Sequence, residues 1–235
     1  MAQKSPDRAK GKAGPGEIET REVVIPPLGL GGALSVPRGA SALVAFAHGS
    51  GSSRFSPRNR IVAEALNESG MATLLFDLLT TEEERDRSNV FDIPLLAGRL
   101  VDSVRWLDQD PMFRRMAFGL FGASTGAAAA LVAAWQLGRR IGAVVSRGGR
   151  PDLALSILDR VVAPTLLIVG GADTAVIELN EQAFVRLRGP KALEIVPGAS
   201  HLFPEPGALE AVIDHAATWF ERYLTPGLRS HNPLP

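Results

Sequence analysis

Apolar residues in this chain gather in short unbroken runs, separated by stretches with helical spacing. The runs are ALVAFAHG (42–49), ATLLFDLL (72–79), MAFGLFG (116–122), IGAVVSRG (141–148), PTLLIVGG (164–171) and ALEIVPG (192–198). Runs that are apolar throughout, rather than alternating, suit strands covered on both faces, as in parallel sheets. Between them, Ile93, Leu96, Leu100, Val104 and Leu107 fall on one helical face. Leu209, Val212, Ile213, Ala216, Phe220 and Tyr223 do the same near the end of the chain. Two weaker strand patterns, REVVIPP (21–27) and GALSVP (32–37), come first and predict an antiparallel hairpin at a sheet edge. Strands alternating with helices of this length imply right-handed βαβ crossovers and one doubly covered sheet.

No internal repeat and no central linker interrupts the series, so residues 20–224 read as a single α/β domain. The charged insert TTEEERDRSN (80–89) reads as a surface loop after the fourth strand. Residues 1–19 are polar, carry Lys4, Arg8, Lys10 and Lys12, and lack an apolar core segment. They are expected to be a flexible arm, not a secretory signal. Residues 225–235, with Pro226, Pro233 and Pro235, are expected to be a C-terminal tail. From Met116 to Gly138 no residue is charged, a length that would cross a bilayer. Gly119, Gly122, Ser124 and Gly126 divide it, however, into a buried strand (MAFGLFG) and an Ala-rich helix (TGAAAALVAAWQL), so no membrane span is expected.

Composition narrows the chemistry. The 235 residues include no cysteine, which excludes disulfides, Cys-ligated zinc, iron–sulfur clusters and a thiolate nucleophile. With 25 Lys+Arg against 25 Asp+Glu, the formal net charge of zero argues against nucleic acid or an acidic membrane as partner. No metal and no cofactor is expected. The expected partner is a small molecule, the expected state a monomer or homodimer, and the expected location cytoplasmic.

Gly122-Ala123-Ser124-Thr125-Gly126 is the one G-x-S-x-G in the chain, and it falls between a predicted strand and a predicted helix. A serine on such a turn projects its hydroxyl above the sheet, and glycines flank it because side chains there would clash. A hydroxyl needs a base within reach to act as a nucleophile. Of four histidines, His231 lies in the tail and His215 inside the last helix, whereas His201 follows the last strand in PGASHLF. Ligands bind at that edge of an open α/β sheet. The base needs a carboxylate to orient it. Asp173 follows PTLLIVGG directly, and Asp152, one strand earlier, is a rival. The order Ser124, Asp173, His201 is that of α/β-hydrolases. A His48–Asp77–Ser124 order would mimic an all-β enzyme, which this α/β chain excludes. AHGSGSSR, at the end of the first parallel strand, begins like an esterase oxyanion loop, assigning the N–H groups of Ser50 and Thr125 to the developing negative charge. His48 would then hold that loop. Arg54 breaks a dinucleotide-type G-x-G-x-x-G here, and no Walker-type sequence occurs.

Five segments, AHGSGSSRFSPRNR, FGASTGAAAAL, SRGGRPD, PTLLIVGGAD and PGASHLF, resemble the dienelactone-hydrolase-like branch of the α/β-hydrolases, with a likeness covering about residues 20–224. The resemblance implies a mostly parallel sheet of about eight strands, helices on both faces, and no large cap domain. The site is then open, closed at most by the 80–92 loop. Named dienelactone hydrolases attack with cysteine, and Ser124 stands here instead. That departure favours serine-esterase chemistry over dienelactone as substrate. Some members of the serine group are fused to a phosphoribosyltransferase domain, for which this chain has no room. Arg54, Arg58 and Arg60 cluster after the oxyanion loop, and Arg147 and Arg150 follow the strand after the nucleophile helix. Arg147 has two readings: it binds a substrate carboxylate, or it pairs structurally with an acid. The expected function is cleavage of a carboxylic ester through an acyl-enzyme on Ser124. A non-catalytic scaffold with the same fold and an acyltransferase with the same three residues are the alternatives.

Overall fold

The computed structural model describes residues 17–225. The arm and tail expectations, and His231, fall almost wholly outside that range; the first strand begins at Ile18, inside the stretch assigned to the arm. Eight strands form one sheet: β1 (Ile18–Ile25), β2 (Leu30–Pro37), β3 (Ala42–Ala47), β4 (Ala72–Phe76), β5 (Ala117–Ala123), β6 (Ile141–Arg147), β7 (Thr165–Gly170) and β8 (Lys191–Val196). Their spatial order is β1-β2-β4-β3-β5-β6-β7-β8. β1 and β2 form the expected antiparallel hairpin at one edge, β2 also runs antiparallel to β4, and the remaining pairs are parallel. This is the α/β-hydrolase architecture.

The unbroken apolar runs have the physical meaning expected of them. In β3, Leu43, Ala45 and Ala47 face one apolar layer while Ala42, Val44 and Phe46 face the other, and all six are buried. The first layer is closed by α2 (Ile93–Leu107), α4 (Thr125–Leu137) and α5 (Thr174–Arg186). The second is closed by α1 (Pro57–Glu68) and α6 (Ala208–Leu224). A short helix, α3 (Pro111–Arg114), precedes β5. The uncharged stretch 116–138 divides as predicted, into β5 and α4, and no helix among the described residues is long and apolar enough to cross a membrane.

Helix starts are set locally. Ser56 accepts from the Asn59 N–H to open α1, and Asp92 accepts from the Leu95 N–H to open α2, each followed by a proline in the first turn. The insert after β4 is more than a plain loop. Glu83 accepts from the Thr80 N–H (2.9 Å) and from Arg99 of α2 (2.7 Å), while its carbonyl accepts from Asn89 (2.8 Å). Two short 3-10 turns, at residues 83–85 and 89–91, are held against α2 in this way.

From β3 the chain crosses to β4 on one side, then returns past β3 to β5 on the other. The crossover helices α1 and α2 lie on opposite faces, so a crevice opens where β3 and β5 end, the usual ligand position in such sheets.

Phe220, fully buried, packs over Gly119 in the centre of β5. Phe220→Ala is expected to lower unfolding free energy by about 3–5 kcal/mol. Val185→Ala, at a position 77% exposed, should change it by under about 0.5 kcal/mol. Urea titration with unchanged slope would check both.

Candidate active site

Ser124 joins β5 to α4 with φ 51° and ψ −122°, one of two non-glycine residues with positive φ among those described. Such a conformation is strained and persists only where surrounding structure enforces it. The enforcement is visible. The Ser124 N–H donates to the Arg147 carbonyl (3.2 Å), and its own carbonyl accepts from the Arg150 N–H (3.1 Å). Gly126 brings the first turn of α4 against the end of β3. A Cβ there would lie 2.3 Å from the Ala47 carbonyl oxygen and 2.6 Å from that of His48. On the other side a Cβ on Gly49 would sit 3.0 Å from the Ser124 Cβ, so the glycine loop and the serine are in direct contact.

His201 and Asp173 are paired. His201 Nδ1 lies 2.7 Å from Asp173 Oδ2, with the imidazole 38% and the carboxylate 17% exposed. The Nδ1 proton goes to Asp173, which leaves Nε2 with a free lone pair. Asp173 stands at the start of α5, yet its side chain does not cap that helix and serves His201 instead. Gly148 is the meeting point: its neighbour Arg147 holds the Ser124 N–H, and a Cβ on Gly148 would lie 3.6 Å from His201 Nδ1. Among the described residues the Ser124 hydroxyl makes no hydrogen bond of its own. The rivals are engaged elsewhere. Asp152 is bound twice by Arg150, at 2.8 Å each, and Asp77 by Arg54. His215 lies within α6.

His48 holds the glycine loop, as expected. It is 7% exposed, its Nδ1 donates to the Gly49 carbonyl (3.1 Å), and its Nε2 accepts from the Leu78 N–H (3.1 Å). Burial pushes its pKa below the ordinary 6.5, outweighing the Gly49 contact and the fields of Asp77 and Glu84.

Two expectations need revision. The Ser50 N–H, assigned to the oxyanion, donates here to Thr125 Oγ1 at 3.0 Å, so a hydroxyl occupies it. The Thr125 N–H, first in α4, has no intrahelical acceptor and heads the helix unengaged. Arg147 takes neither of its two readings. Alternation along β6 puts its side chain with Ala143 and Val145, on the α1/α6 side. There it is 6% exposed, donates to Asn59 Oδ1 (3.3 Å) and faces the Phe203 ring at 6.0 Å, with no carboxylate partner among the described residues. Burial, and secondarily Arg58, pulls its pKa down to about 10, which leaves it charged at neutral pH.

A cleft of about 480 Å³ opens beside Gly49 and Ser50. Serines 50, 52 and 53 line it together with the apolar Leu78, Leu79, Val90 and Leu96. The insert after β4 supplies Glu84 and Val90 to this cleft, which adjoins the Ser124 turn through Gly49; Ser124, Asp173 and His201 do not themselves line it. Arg147 does not line it. Sequence reasoning passed over Glu84, the Thr125 hydroxyl and the strained Phe203 (φ 54°) of the His201 loop. Only Glu84 had left a signal, as part of the charged insert.

Comparison with known proteins agrees with the fold. The sequence profile of the dienelactone hydrolase family matches residues 57–224. The chain belongs to that family. A crystal structure of a dienelactone hydrolase from Anabaena variabilis is 55% identical, with a TM-score of 0.85 over 88% of this chain and 98% of that one. Est1E from Butyrivibrio proteoclasticus shares the fold at 17% identity, with a TM-score of 0.74 over 86% and 98% of the two chains. A Mycobacterium tuberculosis protein provisionally named a phosphoribosyl transferase is 57% identical over 206 residues, 88% of this chain but 46% of its own length. The chain therefore spans less than half of that relative.

Because His48 stays neutral in the fold, the unfolded chain takes up a proton at higher pH than the folded one does. Stability from this residue is full above about pH 6.5 and declines as pH falls towards the lowered folded value. Urea unfolding at about pH 7 and about pH 5 should show this loss, and His48→Gln, which has no titrating ring, should show a smaller one.

Proposed function

We propose that this dienelactone hydrolase family member is a serine hydrolase that cleaves carboxylic esters. The observation that carries the reading is the Asp173–His201 pair at 2.7 Å, set across Gly148 from a serine held in a strained strand-to-helix turn. Family membership supports hydrolysis; the choice of ester follows from a hydroxyl nucleophile that depends on an oriented imidazole.

Ser124 Oγ attacks the acyl carbon while its proton passes to His201 Nε2. Asp173, already bonded to Nδ1, stabilises the imidazolium so formed. The negative charge on the former carbonyl oxygen is met by the Thr125 N–H, reinforced by its place at the head of α4. The Ser50 N–H joins it by exchanging Thr125 Oγ1 for the substrate oxygen. Each such donor is worth about 10²–10³ in rate. As the acyl–oxygen bond breaks, His201 returns the proton to the departing alcohol. Water then attacks the acyl-enzyme with His201 as base, releasing the carboxylic acid and restoring Ser124. No cofactor enters these steps.

Turnover of a short p-nitrophenyl ester tests the assignment. Ser124→Ala should lose about 10³-fold or more in kcat with an unchanged circular dichroism spectrum. Undiminished turnover in that variant would remove Ser124 from the chemistry.

A further inference from the structure

The cleft beside Ser50 has one charged side chain in its walls, Glu84. No lysine or arginine lines it, although several arginines lie nearby. Three of these are turned to other tasks, while Arg58, next to the lining Pro57, makes no ion pair among the described residues. Arg54 is bound to Asp77, Arg99 to Glu83, and Arg147 points inward to Asn59. Glu84, by contrast, makes no ion pair among the described residues.

Its position is also fixed. The adjacent Glu83 is tied down through Thr80, Asn89 and Arg99, and the Glu84 N–H donates to the Thr80 carbonyl at 3.0 Å. The carboxylate is near enough for its field to reach His48, which also lines the cleft. Leu78, Leu79, Val90 and Leu96 also line the cleft, and apolar walls concentrate the field of a charge within it.

We propose that Glu84 makes this cleft selective for esters carrying a cationic group, an ammonium or trimethylammonium, over neutral ones, and for neutral esters over anionic ones. The proposal rests on the hydrolase reading only in taking this cleft as the substrate site. Glu84 acts on the ordering of substrates by charge and takes no part in bond making. Because the side chain is solvent-exposed, the expected discrimination is modest, about 3- to 10-fold between a cation and its neutral isostere at low salt, and it shrinks as salt rises.

The test compares p-nitrophenyl esters of trimethylammoniobutyrate, its neutral carbon isostere and glutarate, which carry the charge on the acyl side. Choline acetate and its carbon isostere carry it on the alcohol side. The readout is the ratio of kcat/KM between charged and neutral members, which cancels any general loss of activity. Wild type should prefer the cation in at least one series. Glu84→Gln should bring that ratio close to one, and Glu84→Lys should favour the glutarate ester. Ratios that are the same in wild type and both variants would overturn the proposal. Calorimetry with the same esters on the Ser124→Ala protein reads the ordering without turnover. An intact, Glu84-dependent ordering alongside an inert wild type would sink the hydrolase reading and leave the selectivity standing. Turnover without charge ordering would do the reverse.

Discussion

The C-terminal edge of this sheet is organised by one close approach, the first turn of α4 against the last carbonyls of β3. A single added carbon on Gly126 would stand 2.3 Å from the Ala47 oxygen, well inside any allowed contact. That approach forces the chain to leave β5 through a turn that Ser124 can make only at positive φ. The strain is held by bonds from the end of β6, whose Arg147 and Arg150 backbones grip the serine on both sides. Gly148 of the same segment lies against His201, so the segment that clamps the serine also touches the His201 loop. Gly49 closes the arrangement from the other side and opens directly onto the cleft.

Charge is arranged around this edge with unequal generosity. Asp173, Asp152 and Asp77 each have a cationic or imidazole partner. Arg147 has only Asn59 and an aromatic ring, and it is 6% exposed. Burying a guanidinium without a carboxylate is unfavourable, and its pKa of about 10 reflects that. The backbone of Arg147 explains why this position is close to the chemistry; its side chain faces away from the cleft, braced between α1 and the His201 loop.

The strands were readable because burial on both faces demands unbroken apolar runs, and ALVAFA and TLLIVG can satisfy nothing else. The elbow was readable because close backbone approach demands glycine, and Gly122 and Gly126 flank the serine. Asp173 and His201 were readable as residues that follow strands at the ligand edge. What escaped lies in side-chain direction. Ser50 sits on a loop whose N–H orientation depends on Thr125, 75 residues away. Arg147 was misplaced although β6 alternates Ala143, Val145, Arg147 on one face, so the pattern was present and simply not followed to its end. Glu84 was absorbed into a charged surface insert, because nothing in local composition tells which acid of TTEEERDRSN borders the cleft.

The central claim of the proposed function is that Ser124 is the nucleophile and that His201, oriented by Asp173, is its base. Fluorophosphonate labelling followed by peptide mass spectrometry measures this directly, independent of any substrate. The account predicts a single adduct on Ser124, formed far more slowly when Asp173→Asn or His201→Ala removes the support. An unlabelled Ser124, or labelling at the same rate in all three proteins, would contradict it.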